Sequence, residues 1–544
     1  MKKLSTLLLG LALAFFPFRA AGAESAVVTV LHVNDTHSHL EAEGPRTTAL
    51  EGTVGGIARA AVVIGQERAA DPTALLLHAG DALQGDPSFN AFFGVPELEM
   101  LAALGFDAFT VGNHELDFGS EVFAGLILPQ ATAFASIPML GANVDNLDAI
   151  PSLAGRIKPS ILKDVNGVKV GIFGLTVPGD LTSNPAPLVI REDMPAIAAA
   201  TVANLRAAGA EVVLCLSHLG YLGDEALAQS VSGIDVIVGG HSHYLFETPR
   251  TEKAPDGRTV LILQAGAYWQ HVGRLRFTVA NGAFKLVDYR MLDVDEKVPA
   301  EPEVAAQVEA LRPNQVAYWG DLFGTKLGTA VRPLERTWDA RSFRRDTPLG
   351  NLITDAYRNV TKTDVALTAL GLVAERIAEG PVTGLDVFRA VSYGFDPDSG
   401  LGLQLVTCQI TGANLLAMLE LGVSQVEYAD DLFPQASGLT FAYVRTRDPG
   451  KRVIPWTVFV NGRPLQPAKS YSLTVNEGIA SLLPVFGIEL TDVRTVPNSF
   501  EYVVLRDEIA RLGNVRSLSV GRILDLALPF DLDKDQLAGS DLSR

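Results

Sequence analysis

The sequence predicts an α/β protein with two domains: a layered α/β sandwich, then a helical linker, then an α+β C-terminal domain. Three observations lead to this fold class. The chain has 544 residues, which is too many for a single hydrophobic core. Its hydrophobic content of 48% is ample for packed cores and argues against disorder. Apolar β-type runs alternate with helical segments in the first half, whereas short strands and helices mix in the second half.

The N-terminal domain is predicted over residues 24–341 from the order of its strands and helices. Helical segments such as 55–70 and 194–209 lie between several apolar runs. Strands that are buried on both faces and separated by helices predict a layered α/β sheet. Residues 261–294 are expected to add strands that close the domain. The apolar runs are 27–34, 73–79, 107–111, 168–176, 211–217 and 235–240.

The second half begins with a predicted linker helix over residues 342–363, which has Pro348 in its first turns. The polar stretch 298–319 before it is expected to be partly helical. The remaining residues, 364–544, mix short strands with helices such as 412–423. This mixture is typical of an α+β domain.

The first 23 residues are predicted to be a signal peptide. Lys2 and Lys3 precede an apolar run from Leu4 to Phe18, and small residues lead to a cleavage site after Ala23. The run is too short for a mature anchor, and an anchor left uncleaved is the alternative. No later stretch holds 18 uninterrupted apolar residues. We therefore expect a periplasmic or secreted protein without a membrane anchor.

The net charge limits the classes of binding partner. The chain has 44 Lys and Arg residues against 62 Asp and Glu residues, which gives a formal charge of −18. This acidic balance argues against binding to nucleic acids or anionic membranes, whose footprint is basic. An acidic enzyme still binds anionic substrates when bound cations supply local positive charge.

Metal-binding side chains follow the apolar runs of the first half. They occur within a few residues of the end of each of five predicted strands, and five of the nine histidines belong to this set. Because sites in open α/β sheets form at the carboxyl ends of strands, residues far apart in sequence can converge there. A mixture of His, Asp and Asn suits borderline divalent ions such as Mn²⁺ and Zn²⁺. The residues are Asp35, His37, Asp81, Asn113, His114, His218, His241 and His243.

Five short motifs around these residues carry a family resemblance. In chain order they are NDTHSHL (34–40), GDALQGD (80–86), GNHELDFG (112–119), SHLG (217–220) and GGHSH (239–243). Together they resemble the calcineurin-like metallophosphoesterase pattern as it is found in the 5'-nucleotidase family. The resemblance covers the N-terminal domain fully and the C-terminal domain in part. It implies a calcineurin-like metallophosphoesterase domain followed by a 5'-nucleotidase-type domain.

The resemblance also implies a site for two divalent ions. One ion would take Asp35, His37, Asp81 and His243, and the other would take Asp81, Asn113, His218 and His241. Asp81 would thus bridge the two. Such a pair of ions activates water as hydroxide for attack on a small-molecule phosphoester, which is a nucleotide in this family. His114 would stabilise charge on the phosphoryl or leaving oxygens, and Asp117 would raise the basicity of His114.

Other polar residues near the motifs are expected to have structural roles. Four histidines are interpreted as packed or surface residues, of which His39 is the one that could support the ligands: His32, His39, His78 and His271. Three acidic residues are interpreted as turn, capping or supporting groups: Asp86, Asp224 and Asp235. The sequence contains no dinucleotide fingerprint, nucleophile elbow or P-loop.

The substrate-binding part of the C-terminal domain departs from the family pattern. The phosphate-contacting arginine of the family falls on Ala374, and Arg376 is the candidate substitute. Phe433 matches one of two aromatic residues that hold the base, whereas the other falls near Gly478. The P-F-G-N turn of the family reads Ser392-Tyr393-Gly394-Phe395 here. Arg376, Tyr393 and Phe433 are the predicted substrate contacts, and selectivity for a nucleoside is expected to be altered.

Two rival functions remain open from the sequence. The first is hydrolysis of another phosphoester by the same fold, such as a UDP-sugar or a cyclic nucleotide. The second is a non-catalytic scaffold that binds a ligand through its C-terminal domain. Bound metal and turnover of an aryl phosphate would separate the enzyme from the scaffold.

Overall fold

The structure is a computed structural model of the chain, and it describes residues 26–179, 183–280, 283–339, 342–427 and 430–527. The predicted signal peptide, residues 1–23, lies outside the described residues. Within the described ranges, two large sheets form the first half of the chain and three smaller sheets form most of the second half.

The first large sheet is built around the strand Val27–Val33. This strand pairs in parallel with Leu75–His78 and antiparallel with His271–Ala280. Every residue after the first is buried, as expected for a strand that is covered on both faces. In spatial order the strands are Ala283–Asp293, His271–Ala280, Val27–Val33, Leu75–His78, Ala108–Thr110, Met139–Leu140 and Ile157–Lys158.

The second large sheet has a parallel centre with one antiparallel strand at each edge. Its longest central strand, Val168–Thr176, coincides with the predicted run 168–176. In spatial order the strands are Arg250–Lys253, Thr259–Leu263, Val236–Val238, Val212–His218, Val168–Thr176 and Ser160–Val165.

The two large sheets pack face to face with helices outside. Val30 and Leu77 of the first sheet share one buried cluster with Leu214 and Val238 of the second. Helix Ile57–Ala70 covers the outer face of the first sheet. Helices on the outer face of the second sheet form a further cluster. The predicted layered α/β sandwich is therefore confirmed.

The remaining elements of the first half are short. Within the described residues, no helix combines the length and apolar character that crossing a bilayer requires. The helices up to the connection are Ile57–Ala70, Pro87–Phe92, Val95–Leu104, Ser120–Val122, Met194–Ala207, Tyr221–Ser230, Pro302–Glu309 and Arg312–Trp319. Two small hairpins pair Glu43–Arg46 with Gly52–Val54 and Val144–Asp145 with Val189–Ile190.

The second half is an α+β unit. Its five-stranded sheet has the order Pro434–Ser437, Val365–Ala369, Ser470–Asn476, Gln404–Thr411 and Thr491–Phe500. A four-stranded sheet has the order Arg463–Pro464, Phe459–Val460, Leu439–Tyr443 and Ile523–Asp525, and a three-stranded sheet has the order Gly380–Thr383, Lys326–Ala330 and Asn514–Val515. The helices are Pro348–Thr361, Gly384–Ala390, Gly412–Gly422, Glu477–Leu482 and Glu501–Leu512.

The helix predicted over 342–363 runs from Pro348 to Thr361. Thr347 caps its first turn with its hydroxyl, and Pro348 fits the first helical position because that residue needs no intrahelical N–H bond. Tyr357 and its neighbours on the buried face pack against helix Glu501–Leu512. The helix therefore forms part of the core of the second half, while the division of the chain at residues 341 and 363 stays a prediction.

Buried ion pairs join the two halves. Arg389, which is 1% exposed, donates to Asp86 at 2.7 Å and to the backbone carbonyl of Glu41 at 3.0 Å. Arg46 makes a two-pronged contact with Asp386, with both N–O distances at 2.7 Å. Because paired arginine–carboxylate contacts fix geometry in two directions, they hold the second half in register with the first.

Candidate active site

The residues predicted as metal ligands lie at one edge of the sandwich, where strands of both large sheets end. The loop after Val27–Val33 carries two of them, and the loop after Val236–Val238 carries two more. The others follow Leu75–His78 and Ala108–Thr110 or end Val212–His218. The structure brings all seven together: Asp35, His37, Asp81, Asn113, His218, His241 and His243.

One group of donors contains Asp35, His37 and His243. The Nε2 atoms of His37 and His243 are 3.0 Å apart. Asp35 Oδ1 lies 3.5 Å from Nε2 of His243 and 3.9 Å from Nε2 of His37. These three residues belong to the first predicted ligand set, whose fourth member is Asp81.

The second group contains Asp81, His218 and His241, with Asn113 between the two rings. Asn113 Oδ1 lies 3.1 Å from Nε2 of His218 and 3.1 Å from Nδ1 of His241. Asp81 Oδ2 is 2.9 Å from Nε2 of His218 and 3.9 Å from Nε2 of His37 in the first group. Asp81 therefore lies between the two groups, as expected for a bridging carboxylate.

The donor set fits divalent cations. In each group the imidazole nitrogens and carboxylate oxygens lie within 4.8 Å of one another, and all of these side chains are buried except the half-buried His241 and His243. The Nδ1 atom of His218 is held by the carbonyl oxygen of Ala79 at 2.7 Å. A backbone contact of this kind is common behind metal-binding histidines because it fixes the tautomer and the orientation of the ring. Mixed His, Asp and Asn ligands suit borderline ions.

Burial and neighbouring charges shift the pKa values of these groups in the protein alone. Burial lowers the pKa of His243 to about 3, and it lowers that of His37 well below the usual value, with like-charged neighbours adding to the effect. Both rings are then neutral, which is the form that binds metal. Burial raises the pKa of Asp35 to about 7, although His218 opposes the shift. For Asp81, burial is outweighed by His218 and His114, so its pKa lies well below the usual value.

Backbone strain is concentrated at the predicted ligands. Five of the seven have left-handed φ angles: Asp35 at 51°, His37 at 47°, Asp81 at 57°, His241 at 71° and His243 at 56°. Non-glycine residues rarely adopt this conformation, although Asp and His do so more readily than most. Each such residue costs of order 1–3 kcal/mol and persists where surrounding contacts hold it.

Glu115 supports the loop that carries the bridging carboxylate. Its buried carboxylate accepts four backbone N–H groups, with Oε1 2.8 Å from the nitrogen of Ala82 and 3.3 Å from that of Leu83. Oε2 is 2.7 Å from the nitrogen of Gly112 and 3.1 Å from that of Asp81. The carboxylate thus ties the Asp81 loop to the loop that carries Asn113 and His114.

Replacing Glu115 with glutamine should weaken cation binding at both groups, because an amide nitrogen would face N–H donors and the Asp81 loop would shift. We expect a loss of about 10–100-fold in metal affinity, as for supporting residues behind metal ligands. Titration calorimetry with Zn²⁺ measures this. Glu121→Gln, on an exposed residue of the next turn, is the matched control. Unchanged metal affinity in Glu115→Gln would show that the hydrogen bonds of the Glu115 carboxylate do not hold Asp81 in place.

The predicted catalytic pair is assembled beside the donor groups. His114 Nδ1 lies 2.6 Å from Asp117 Oδ2, and the backbone N–H of His114 donates to Asp81 Oδ1 at 3.0 Å. The ring of Tyr393, which comes from the second half of the chain, stacks on His114 with centroids 5.6 Å apart and an angle of 20°. Tyr393 therefore lies at the site, where it contacts the ring of His114.

The other two predicted substrate contacts have different environments. Arg376 lines a cleft of about 400 Å³ next to His243, where its guanidinium pairs with Glu335 at 3.1 Å. Phe433 is fully buried, with its ring 4.9 Å from that of Trp338 and 5.8 Å from that of Tyr443. Because these packed rings leave Phe433 unexposed, the predicted contact of Phe433 with a base stays a prediction that this packing does not favour.

Two residues of the cleft were missed by sequence reasoning. Arg336 lines it beside His243, and its positive charge adds to the effect of burial in lowering the pKa of that ring. The centroid of the Tyr268 ring lies 4.3 Å from that of the His39 ring and 5.4 Å from that of the His243 ring. Arg336 lies outside every recognised motif. Tyr268 lies in a segment interpreted only as closing strands, where the aromatic pair that it forms with Trp269 was the available signal.

Comparisons with known proteins agree with this architecture. The family model for the calcineurin-like phosphoesterase matches residues 28–245, and that for the 5'-nucleotidase C-terminal domain matches residues 326–483. The first match spans all seven predicted metal ligands. Fold and site together define a two-domain metallophosphoesterase, a hydrolase that acts on phosphoric ester bonds.

Individual relatives narrow the class. A 5'-nucleotidase from Diplobatis ommata is 30% identical over 88% of this chain and 85% of its own length. The chain belongs to the 5'-nucleotidase family. A 5'-nucleotidase precursor from Thermus thermophilus has a similar solved structure, with a TM-score of 0.78 and 31% identity over 93% of this chain and 100% of that one.

The fold is also shared with a more distant protein. The sulfate thiohydrolase SoxB from Thermus thermophilus superposes with a TM-score of 0.74 over 92% of this chain and 97% of that one. Its identity of 19% means that the likeness concerns the fold alone.

Proposed function

We propose that this chain is an exported 5'-nucleotidase that releases phosphate from nucleotides at a site for two divalent ions. The observation that carries the proposal is the pair of mostly buried donor groups with Asp81 between them, and with His114 and Asp117 beside them. Export is supported by the kinship with a snake venom 5'-nucleotidase, which is 29% identical over 93% of this chain.

The protein side chains divide the work of hydrolysis. When two divalent ions are bound, they supply the positive charge that holds the phosphoryl group and activates water. Asp35, His37 and His243 would hold one ion, Asn113, His218 and His241 would hold the other, and Asp81 would be a ligand of both. His114 is oriented by Asp117, which raises the basicity of the ring, so that the imidazole can stabilise charge on the phosphoryl or leaving oxygens. The stacked ring of Tyr393 limits access of water to one face of His114.

The proposal is tested by phosphate release from AMP. Purified enzyme loaded with Mn²⁺ or Zn²⁺ should release phosphate, and exhaustive chelation should abolish the activity until metal is restored. Activity that survives chelation, with no tightly bound metal in the protein, would reject the two-ion site. Bound metal without turnover of AMP or an aryl phosphate would favour the ligand-binding scaffold.

The second half of the chain is expected to select weakly for the nucleoside. Base stacking contributes about 1–3 kcal/mol per base in nucleic-acid complexes, and the ring of Phe433 is fully buried. Arg336 supplies positive charge in the cleft, but this charge does not distinguish one phosphoester from another. Since about 1.4 kcal/mol corresponds to a factor of ten, we expect kcat/KM for 4-nitrophenyl phosphate within about tenfold of that for AMP.

Phe433→Leu is the variant that checks this selectivity. It should lower the melting temperature, because it leaves a cavity beside Trp338, and leave the ratio of the two kcat/KM values unchanged. A preference for AMP of roughly a thousandfold or more, lost in Phe433→Leu, would mean that the ring leaves the core to hold the base.

A further inference from the structure

A second cluster of metal-binding side chains lies between the two halves of the chain. His39 and Glu43 come from the first half, and Glu375 comes from the second. His39 Nε2 lies in close polar contact with Glu375 Oε1 and is 3.8 Å from Glu43 Oε2. All three side chains are at least nine-tenths buried. None of the three belongs to either predicted ligand set, although His39 lies two residues from His37.

The histidine of this cluster is oriented as a ligand would be. His39 Nδ1 donates to the backbone carbonyl of His37 at 2.6 Å, so Nε2 carries the lone pair and faces the carboxylates. The ring of Tyr268 stacks on His39 with centroids 4.3 Å apart and an angle of 28°. The same tyrosine ring also contacts the rings of His37 and His243, and it therefore lies between this cluster and the catalytic donors.

The carboxylates of Glu43 and Glu375 lie close together, and one of their oxygen atoms has no hydrogen-bond donor in the described part of the chain. Glu43 Oε1 accepts from Gln270, but Glu43 Oε2 is buried without a hydrogen-bond partner among the described residues. Burial and the proximity of the two carboxylates raise the pKa of Glu43 well above its usual value, and burial raises that of Glu375 to about 7. Two facing carboxylates that only accept hydrogen bonds need either a shared proton or a cation.

The nearest arginine does not fill this role. The guanidinium of Arg389 donates to Asp86 and to the backbone carbonyls of Glu41 and Ala42. When Glu43, Glu375 and Asp86 are ionised, three negative charges face one positive charge. The remaining two negative charges equal the charge of one divalent cation.

We propose that His39, Glu43 and Glu375 bind a third divalent cation that ties the two halves of the chain together. One imidazole nitrogen and two carboxylates suit a borderline ion such as Zn²⁺ or Mn²⁺. Glu43 and Glu375 also line the cleft, which gives an ion a route to the cluster. This site is separate from the proposed hydrolytic function, because its ligands are not those of the catalytic groups.

The number of Zn²⁺ ions per full-length chain tests the proposal. After removal of metal, saturation with Zn²⁺ and desalting, elemental analysis should find three ions in the unmodified protein and two in Glu43→Gln and in Glu375→Gln. Asp81→Ala should keep the ion of this cluster, and Zn²⁺ should raise its melting temperature. The double variant Asp81→Ala/Glu43→Gln should show neither the ion nor the rise.

Glu97→Gln is the matched control, since Glu97 is another buried carboxylate whose pKa is raised to about 7 by burial, but it lies outside every donor group. It should retain three ions. Two ions in the unmodified protein, or an unchanged count in both Glu43→Gln and Glu375→Gln, would overturn the proposal and indicate a shared proton instead. The Asp81→Ala measurement keeps the test decisive if the glutamine variants fail to fold, because a chain without bound Zn²⁺ would also overturn it.

Discussion

Asp81→Ala should empty both catalytic donor groups and lower kcat/KM for AMP by roughly 10⁴-fold or more, since metal ions contribute several kcal/mol to transition-state stabilisation. The reason is positional. Asp81 Oδ2 lies 2.9 Å from His218 in one group and 3.9 Å from His37 in the other. A single truncation therefore removes a ligand from both groups, and each remaining set holds an ion less tightly.

The measurement combines metal analysis with steady-state kinetics on the same preparation. Asp145→Ala removes an exposed carboxylate of the same domain. It should leave the metal content and kcat/KM for AMP unchanged. Loss of only one catalytic ion in Asp81→Ala would contradict the bridging role and assign Asp81 to a single group.

His114→Ala should retain both catalytic ions but lower turnover by roughly 10²–10⁴-fold, the range typical of a general acid–base group. The ring contacts Asp117 on one side and Tyr393 on its face, and its backbone N–H donates to Asp81. Asp117→Asn should give a smaller loss, because the imidazole remains but loses its orienting carboxylate.

Metal content separates this role from that of a ligand. If His114→Ala loses an ion along with its activity, His114 is a metal ligand, and its catalytic assignment fails. Tyr393→Phe keeps the stacked ring and serves as the conservative variant, for which we expect unchanged metal content.

The layered fold could be predicted because its signals are local. The pattern of apolar residues along the sequence reveals six strand-like runs and the helices between them. The strand Val168–Thr176 has the same bounds as its prediction. The convergence of the metal-binding side chains follows from the rule that parallel strands end at one edge. Residues as distant as Asp35 and His243 could therefore be placed together from sequence alone.

The cleft could not be predicted in the same way. Tyr393 meets His114 across 279 residues of sequence, a contact that depends on how the two halves dock. Arg336 lies in an irregular stretch without a motif, and Phe433 packs against Trp338, whose position no local pattern fixes. The resemblance supplied Phe433 as a base contact, but tertiary packing in this chain determines its exposure.

The left-handed φ angles of Asp35, His37, Asp81, His241 and His243 have a consequence for directed evolution. Glycine adopts this conformation without steric strain, so substitutions to glycine at these positions relieve strain even as they remove donor atoms. A library screened only for heat resistance in the presence of chelator would accumulate such substitutions, and its members would lose catalytic activity. Screening in excess metal selects for the original residues instead, because ion binding then stabilises the folded chains that keep these donor atoms.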